Sequence, residues 1–167
     1  MLLVFQIVTV LLVSVAFGLA LAHALELPGK MRLNQEAYLT VQTIYYPGFT
    51  IAGVGEAFAV VATLILLLVR PRASLAFWAT VTGFVAVLGM HVVFLAHYPT
   101  CEQVLAEEPA DERAWSEVLL DANRRATQKE NDEHDWMTMR DRWEYSHLLR
   151  AVLSGIALIA LLLALVI

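Results

Sequence analysis

Four long apolar runs dominate the chain and restrict what it can fold into. Not one Asp, Glu, Lys or Arg occurs between Met1 and Ala24, and residues 49–69 carry a single ionisable group, Glu56. Residues 74–98 and 151–167 contain no Asp, Glu, Lys or Arg at all. A hydrocarbon layer of roughly 30 Å needs about 20 apolar residues at about 1.5 Å each, so every run is close to a helical span. The expected fold is therefore all-α: an integral membrane four-helix bundle forming a single domain over 1–167, with spans at about 2–25, 49–69, 74–98 and 146–167. A hydrophobic content of 59%, against 16% charged residues, agrees with lipid around the domain.

The connections differ in character. Pro28-Gly29 is expected to stop span one, and Asn34 to Tyr46 reads as a short interfacial helix carrying Leu39, Tyr45 and Tyr46 before the Pro47-Gly48 turn. Arg70-Pro71-Arg72 makes a tight turn, so spans two and three form an antiparallel hairpin. Gly53 and Ala57 in one and Ala79 and Gly83 in the other are small pairs that would let the two backbones approach. A long polar, partly helical loop at 99–140 joins spans three and four, with a candidate amphipathic helix around Trp115 to Ala126. Ala20 to Ala24 weakly resembles a cleavage site, but no basic segment precedes the run, which is also long for a signal peptide, so span one is expected to be retained. Counting Lys and Arg places the long loops in the cytoplasm, whereas an even number of spans with both termini inside favours the opposite orientation, which we adopt.

Thirteen of the sixteen acidic residues lie between Glu102 and Glu144, so the net charge of -5 belongs mainly to one loop. No basic, aromatic-laced tract is present to follow a phosphate backbone, and nucleic acid is not an expected partner. One cysteine, Cys101, excludes an internal disulfide, a four-cysteine zinc site and a paired-thiol relay. The expected partners are the lipid bilayer, a small hydrophobic substrate and a second copy of the chain; the expected location is a bacterial inner membrane.

Because successive spans reverse direction, the end of span one, the start of span two, the end of span three and the start of span four share one rim. That rim collects His23, Glu26, Glu56, His91, Glu144, His147 and Arg150, while the other offers only Arg70 and Arg72. Ionisable groups inside spans cost a few kcal/mol on insertion scales, which marks them as functional candidates. His23 with Glu26, and Glu144 with His147, lie three residues apart on one helical face. With Glu56 and His91 from the other spans, these six resemble the ligands of dimetal carboxylate bundles, except that span one reverses the order and span three has His91 in place of a glutamate. One or two ions of iron, copper or zinc are the candidate cofactor; a mononuclear site with His23, His91, His147 and a carboxylate fits as well. Haem held by an axial pair of these histidines ranks lower, since a carboxylate-rich pocket surrounds it poorly. A purely structural arrangement would instead pair Glu56 with Arg150 and Glu144 with Arg140, with His23 bonded to a backbone carbonyl. His97 is expected at the interface and His134 in solvent. Trp136 and Trp143 share a helix face and, with Tyr45 and Tyr46, would line an aromatic mouth over the polar floor, Trp143 and Tyr46 being the candidate ring-binding residues. The same aromatics would also serve as an ordinary interfacial belt.

Three segments resemble a known family. Leu19 to Leu33 (LALAHALELPGKMRL), Tyr38 to Phe49 (YLTVQTIYYPGF) and Arg140 to Ala151 (RDRWEYSHLLRA) look like the anthrone oxygenase-like group of small four-span membrane proteins. The spacing of Trp143, His147 and Arg150 is the most specific part, and the likeness covers most of the chain except the acidic loop. It implies a membrane oxidoreductase or monooxygenase that adds oxygen to an activated aromatic carbon, taking an anthrone to an anthraquinone without an added cofactor. On that implication His147 or Glu56 would be the base and Arg150 would hold the carboxylates, with a quinone-like substrate entering from the bilayer. Two other functional classes remain beside it: a non-catalytic accessory or assembly subunit with a structural polar cluster, and a haem-carrying electron-transfer subunit.

Overall fold

The computed structural model describes residues 1–45, 48–106 and 122–167, with side chains described except at 50, 52, 97–106 and 122–135. Five α-helices are found among the described residues: α1 (Leu2–Lys30), α2 (Gln35–Gln42), α3 (Gly48–Val69), α4 (Leu75–Ala106) and α5 (Ala122–Val166), with a 3-10 turn at Thr43–Tyr45 after α2. The protein is all-α. Leu2–Lys30, Leu75–Ala96 and Trp136–Val166 are each long and apolar enough to cross a membrane, and Gly53–Val69 is a shorter apolar helix.

The four long helices pack as a ring, α1 against α3 and α5, and α4 against α3 and α5. Each contributes to one apolar core: Val13 and Ala16, Ala59 and Leu66, Ala86, Val87 and Met90, and Ala157 and Leu161. Alanines dominate because close backbone approach, rather than expulsion of water, holds helices together when lipid surrounds them. Large side chains such as Leu11, Phe58, Val85 and Ile159 point outward instead. Core hydroxyls bond within their own helices: Thr9 donates to the Phe5 carbonyl (2.8 Å), Thr80 to that of Ala76 (2.7 Å) and Ser154 to that of Arg150 (2.6 Å). A polar group satisfied in this way adds no requirement on its neighbours.

Several boundaries differ from the sequence reading. Pro28-Gly29 does not stop α1, which runs to Lys30 and closes with the Met31 N–H donating to the Leu27 carbonyl at 3.0 Å. A proline in a helix interior costs about 3 kcal/mol; here the added turn is offset by the buried contacts of Lys30. The interfacial helix is shorter than Asn34 to Tyr46. Asn34 is its N-cap, accepting from the Ala37 N–H at 3.0 Å, and α-helix gives way to the 3-10 turn at Thr43. Described parts of the 99–140 loop are helical, belonging to the end of α4 and the first half of α5. Between Ala122 and Ser154 there is neither Pro nor Gly, so the polar part of the 45-residue α5 runs unbroken into its apolar part. The remainder of the loop, including Trp115 to Asp121 of the candidate amphipathic helix, lies outside the described residues.

The small-residue reading also changes. A Cβ on Gly83 would meet Leu161 Cγ of α5 at 2.9 Å, so Gly83 serves the α4–α5 contact and not the hairpin with α3; a Cβ on Gly53 would meet nothing within 4 Å. At the far rim Arg70 donates to the Ala164 carbonyl at 2.7 Å, capping one of the last carbonyls of α5. Burial lowers the pKa of Arg70.

Candidate functional site

Helical spacing assembles the site before tertiary contacts complete it. His23, Glu26 and Lys30 fall at i, i+3 and i+7 on the last turns of α1, one face of that helix. Trp136, Arg140, Trp143, Glu144, His147 and Arg150 follow the same rule along α5. Packing α1 on α5 sets these two faces together, and α2, the 3-10 turn, α3 and α4 add Tyr38, Tyr45, Glu56 and His91.

Two hydrogen-bonded clusters result. In the first, buried Lys30 points its ammonium at His23 Nδ1 (3.0 Å), Glu26 Oε2 (3.2 Å) and Glu144 Oε1 (3.5 Å), and sits over the Tyr45 ring at 4.6 Å. The Tyr38 hydroxyl donates to Glu144 Oε1 at 2.6 Å, and the Tyr45 hydroxyl donates to Glu26. In the second, Arg150 pairs with Glu56, donates to His147 Nδ1 at 3.2 Å and lies over the Phe94 ring at 5.1 Å. The clusters meet where the His23 and His147 rings stack, centroids 4.1 Å apart and planes within 26°. Tyr45 and Phe49 close round His23 and Trp143 meets His147 edge-on at 4.7 Å.

Hydrogen-bond roles fix the state of the imidazoles. Ammonium and guanidinium groups only donate, so both Nδ1 atoms accept and each neutral ring carries its proton on Nε2. Neutrality also lets the two rings stack without repulsion. Tyr45 has its pKa raised, first by burial and then by the bond to Glu26, so its hydroxyl stays protonated.

Of the sequence-predicted site residues, His23, Glu144, His147 and Arg150 are buried together with Glu56, and Glu26 joins them with its side chain 44% exposed. His91 is half-buried on α4, stacked on Phe94, and its Nδ1 has no hydrogen-bond partner among the described residues. Trp143 packs on His147 as expected of the aromatic rim, whereas Tyr46 and the side chains of His97 and His134 lie outside the described residues. The pairing of Glu56 with Arg150 is present, but that of Glu144 with Arg140 is not: Arg140 turns to Asp141 (2.8 Å) and stands over Trp136 (4.9 Å), leaving Glu144 to Tyr38 and Lys30. His23 accepts from Lys30 in place of bonding a carbonyl.

No three His, Cys, Asp or Glu side chains among the described residues are grouped so as to hold a metal ion. Lys30 and Arg150 stand between the carboxylates and supply the positive charge that an ion would have supplied. The donor set therefore does not fit the one- or two-ion arrangement expected from the sequence.

Lys30 and Tyr38 escaped the sequence reading. The i+4 and i+7 spacing of Lys30 from Glu26 and His23 would have revealed it had the helix been continued past Pro28. Tyr38 has no local signal, since only the fold sets it against a residue 106 positions away. No protein-family model, curated protein or solved structure matches the chain.

Proposed function

We propose that the chain is a four-span integral membrane enzyme that oxidises a small hydrophobic aromatic or quinone-like molecule reached from the bilayer, the reaction implied by its resemblance to the anthrone oxygenase-like proteins. The observation that carries this reading is the stacked His23–His147 pair, buried between Lys30 and Arg150 and walled by Tyr45, Phe49 and Trp143. A substrate methylene flanked by two aryl rings, and acidified through them by the ketone across the central ring, loses a proton to a carboxylate of the cluster; the carbanion passes electrons to dioxygen, and the resulting hydroperoxide loses water to leave a carbonyl. One dioxygen is consumed and one water released for each methylene oxidised. Arg150 already engages both His147 Nδ1 and Glu56, so the histidines act through their Nε2–H, stabilising oxygen charge as it develops. Lys30 and Arg150 supply fixed positive charge at the same place.

Purified full-length protein in lipid nanodiscs, given an anthrone in air-saturated buffer, is expected to consume oxygen and form quinone faster than empty nanodiscs. His23→Ala and His147→Ala should each slow that rate by about 100-fold, within the range of a lost acid–base or charge-stabilising group. No rate above the empty-disc control with anthrones or hydroquinones would overturn the reading. A second reading is a non-catalytic membrane subunit whose polar cluster fixes helix packing, favoured by the buried Glu56–Arg150 pair. It predicts no turnover in the parent protein and a loss of thermal stability in both histidine variants.

A further inference from the structure

The segment from Gln35 to Tyr45, α2 and its 3-10 turn, is held to the molecule differently from the four long helices. Only Tyr38 in it is buried, and the backbone of α2 packs chiefly against the turn that follows and not against the long helices. Yet this segment closes the polar cluster from the rim. The Tyr45 ring lies 4.6 Å from the His23 ring and 4.6 Å from the Lys30 ammonium, and the Tyr38 hydroxyl reaches in to Glu144 at 2.6 Å. Beneath them Lys30 is 3% exposed and Glu144 1%, while Glu26, with its side chain 44% exposed, marks the seam.

We propose that α2 and the 3-10 turn are a lid over His23, Lys30 and Glu144, latched by the Tyr38 and Tyr45 hydroxyls, which swings away from the rim while the bundle stays folded. The long helices share an apolar core, whereas the lid is fastened by two hydroxyls on carboxylates, Tyr38 on Glu144 and Tyr45 on Glu26. Its apolar contacts are confined to Tyr38 edge-on to Trp136 and to Leu33 and Leu39 beside them. Hydrogen bonds at a rim can be exchanged for bonds to water, and a segment with few buried apolar contacts opens at less cost than a packed core. Both ends can absorb a rotation: Met31 to Asn34 lie outside α1 and α2, and α3 begins on Gly48, around which there is open space. Opening uncovers the face of His23 on which Tyr45 lies and the ammonium of Lys30, groups that the closed lid keeps from the surface. The lid does not depend on whether the cluster beneath it is catalytic or structural.

The test is local opening in the full-length protein in nanodiscs. Amides of α2 are expected to exchange with deuterium about tenfold or more faster than those in the core turns of α1 and α5. Tyr38→Phe combined with Tyr45→Phe removes both latches, and acylation of Lys30 by an amine reagent should then accelerate by about tenfold or more, the usual worth of a hydrogen bond to a charged acceptor. Ser154→Cys in a Cys101→Ser background reports on the bundle itself, because Ser154 is 0% exposed, and its thiol should stay unreactive to N-ethylmaleimide while Lys30 reacts. An unchanged Lys30 rate in the double variant overturns the latches. Reaction of Lys30 and of the Ser154→Cys thiol in parallel would mean that the whole bundle opens, and overturns the lid. If the double variant does not fold, exchange in the parent protein decides: α2 in step with the core helices overturns the lid, and faster exchange of α2 supports it.

Discussion

Removing the Arg150 guanidinium would strand Glu56 in the bundle, where it is 2% exposed and has that guanidinium as its ion-pair partner. Breaking a buried pair from one side costs about 3–5 kcal/mol, whereas replacing both partners with apolar groups is often neutral. Thermal unfolding in detergent should therefore show a large loss for Arg150→Met and a much smaller one for Glu56→Leu combined with Arg150→Met. A double variant as unstable as the single would mean that Arg150 acts mainly through His147 and Phe94. Tyr45 makes a different prediction, through pH. Its folded pKa is raised above the ordinary value of about 10, so the stability it contributes is complete below that pH and is lost as the pH climbs through the folded value. The stability gap between the parent protein and Tyr45→Phe should stay level from neutral pH to about 10 and shrink at higher pH. A gap that shrinks near neutrality would place the dependence on another group.

At the scale of elements, the contact between α4 and α5 depends on one missing side chain. A Cβ at Gly83 would stand 2.9 Å from Leu161 Cγ and 3.0 Å from its Cδ2, in a core where Leu161 is 2% exposed and has little room to move. Overpacking of this kind costs about 1–3 kcal/mol. Gly83→Ala should lower the melting temperature, and Gly53→Ala, with open space at its Cβ, should leave it level or raise it slightly. The opposite ranking would show that the glycines matter for helix flexibility and not for packing. Both were legible as small residues, but the partner of Gly83 was not, since spacing along α4 identifies a face without saying which neighbour covers it. Gly155 illustrates the same point, its absent Cβ leaving 3.2 Å to the Phe17 ring of α1.

For the whole molecule, the ring of α1, α3, α4 and α5 and the exposure of its large apolar side chains accord with lipid as the surrounding medium. At about 1.5 Å per residue, α5 extends about 68 Å, roughly twice the thickness of a hydrocarbon core. Its apolar half matches the spans beside it, and its polar half rises beyond them, carrying Trp136 and Arg140 to the rim. On the proposed four-span reading, both termini lie on the same side. Single cysteines placed near Met1 and Ile167 in a Cys101→Ser background should react with an impermeant thiol reagent from one face only, and both from the same face. Labelling from opposite faces would reduce the crossings to an odd number.

Long apolar runs and the reversal of successive helices determined by themselves that the chain is helical and that His23, Glu56, His91, Glu144 and His147 belong to one end of it. The i+3 spacing of the two His/Glu pairs further determined which residues share a helix face. Apart from the pairing of Glu56 with Arg150, what met them across the bundle was decided by the tertiary structure. The sequence offered six ligands with Arg150 and Arg140 as their counter-charges, and missed Lys30, which lay beyond a proline, and Tyr38, in a separate helix. In the fold these two, with Arg150, take up the carboxylates and the Nδ1 atoms of His23 and His147. The physical reason is that helical periodicity is a local property, written in neighbouring residues, whereas the partner of a buried charge is set by distance in space, and the Glu144–Tyr38 bond spans 106 positions of chain.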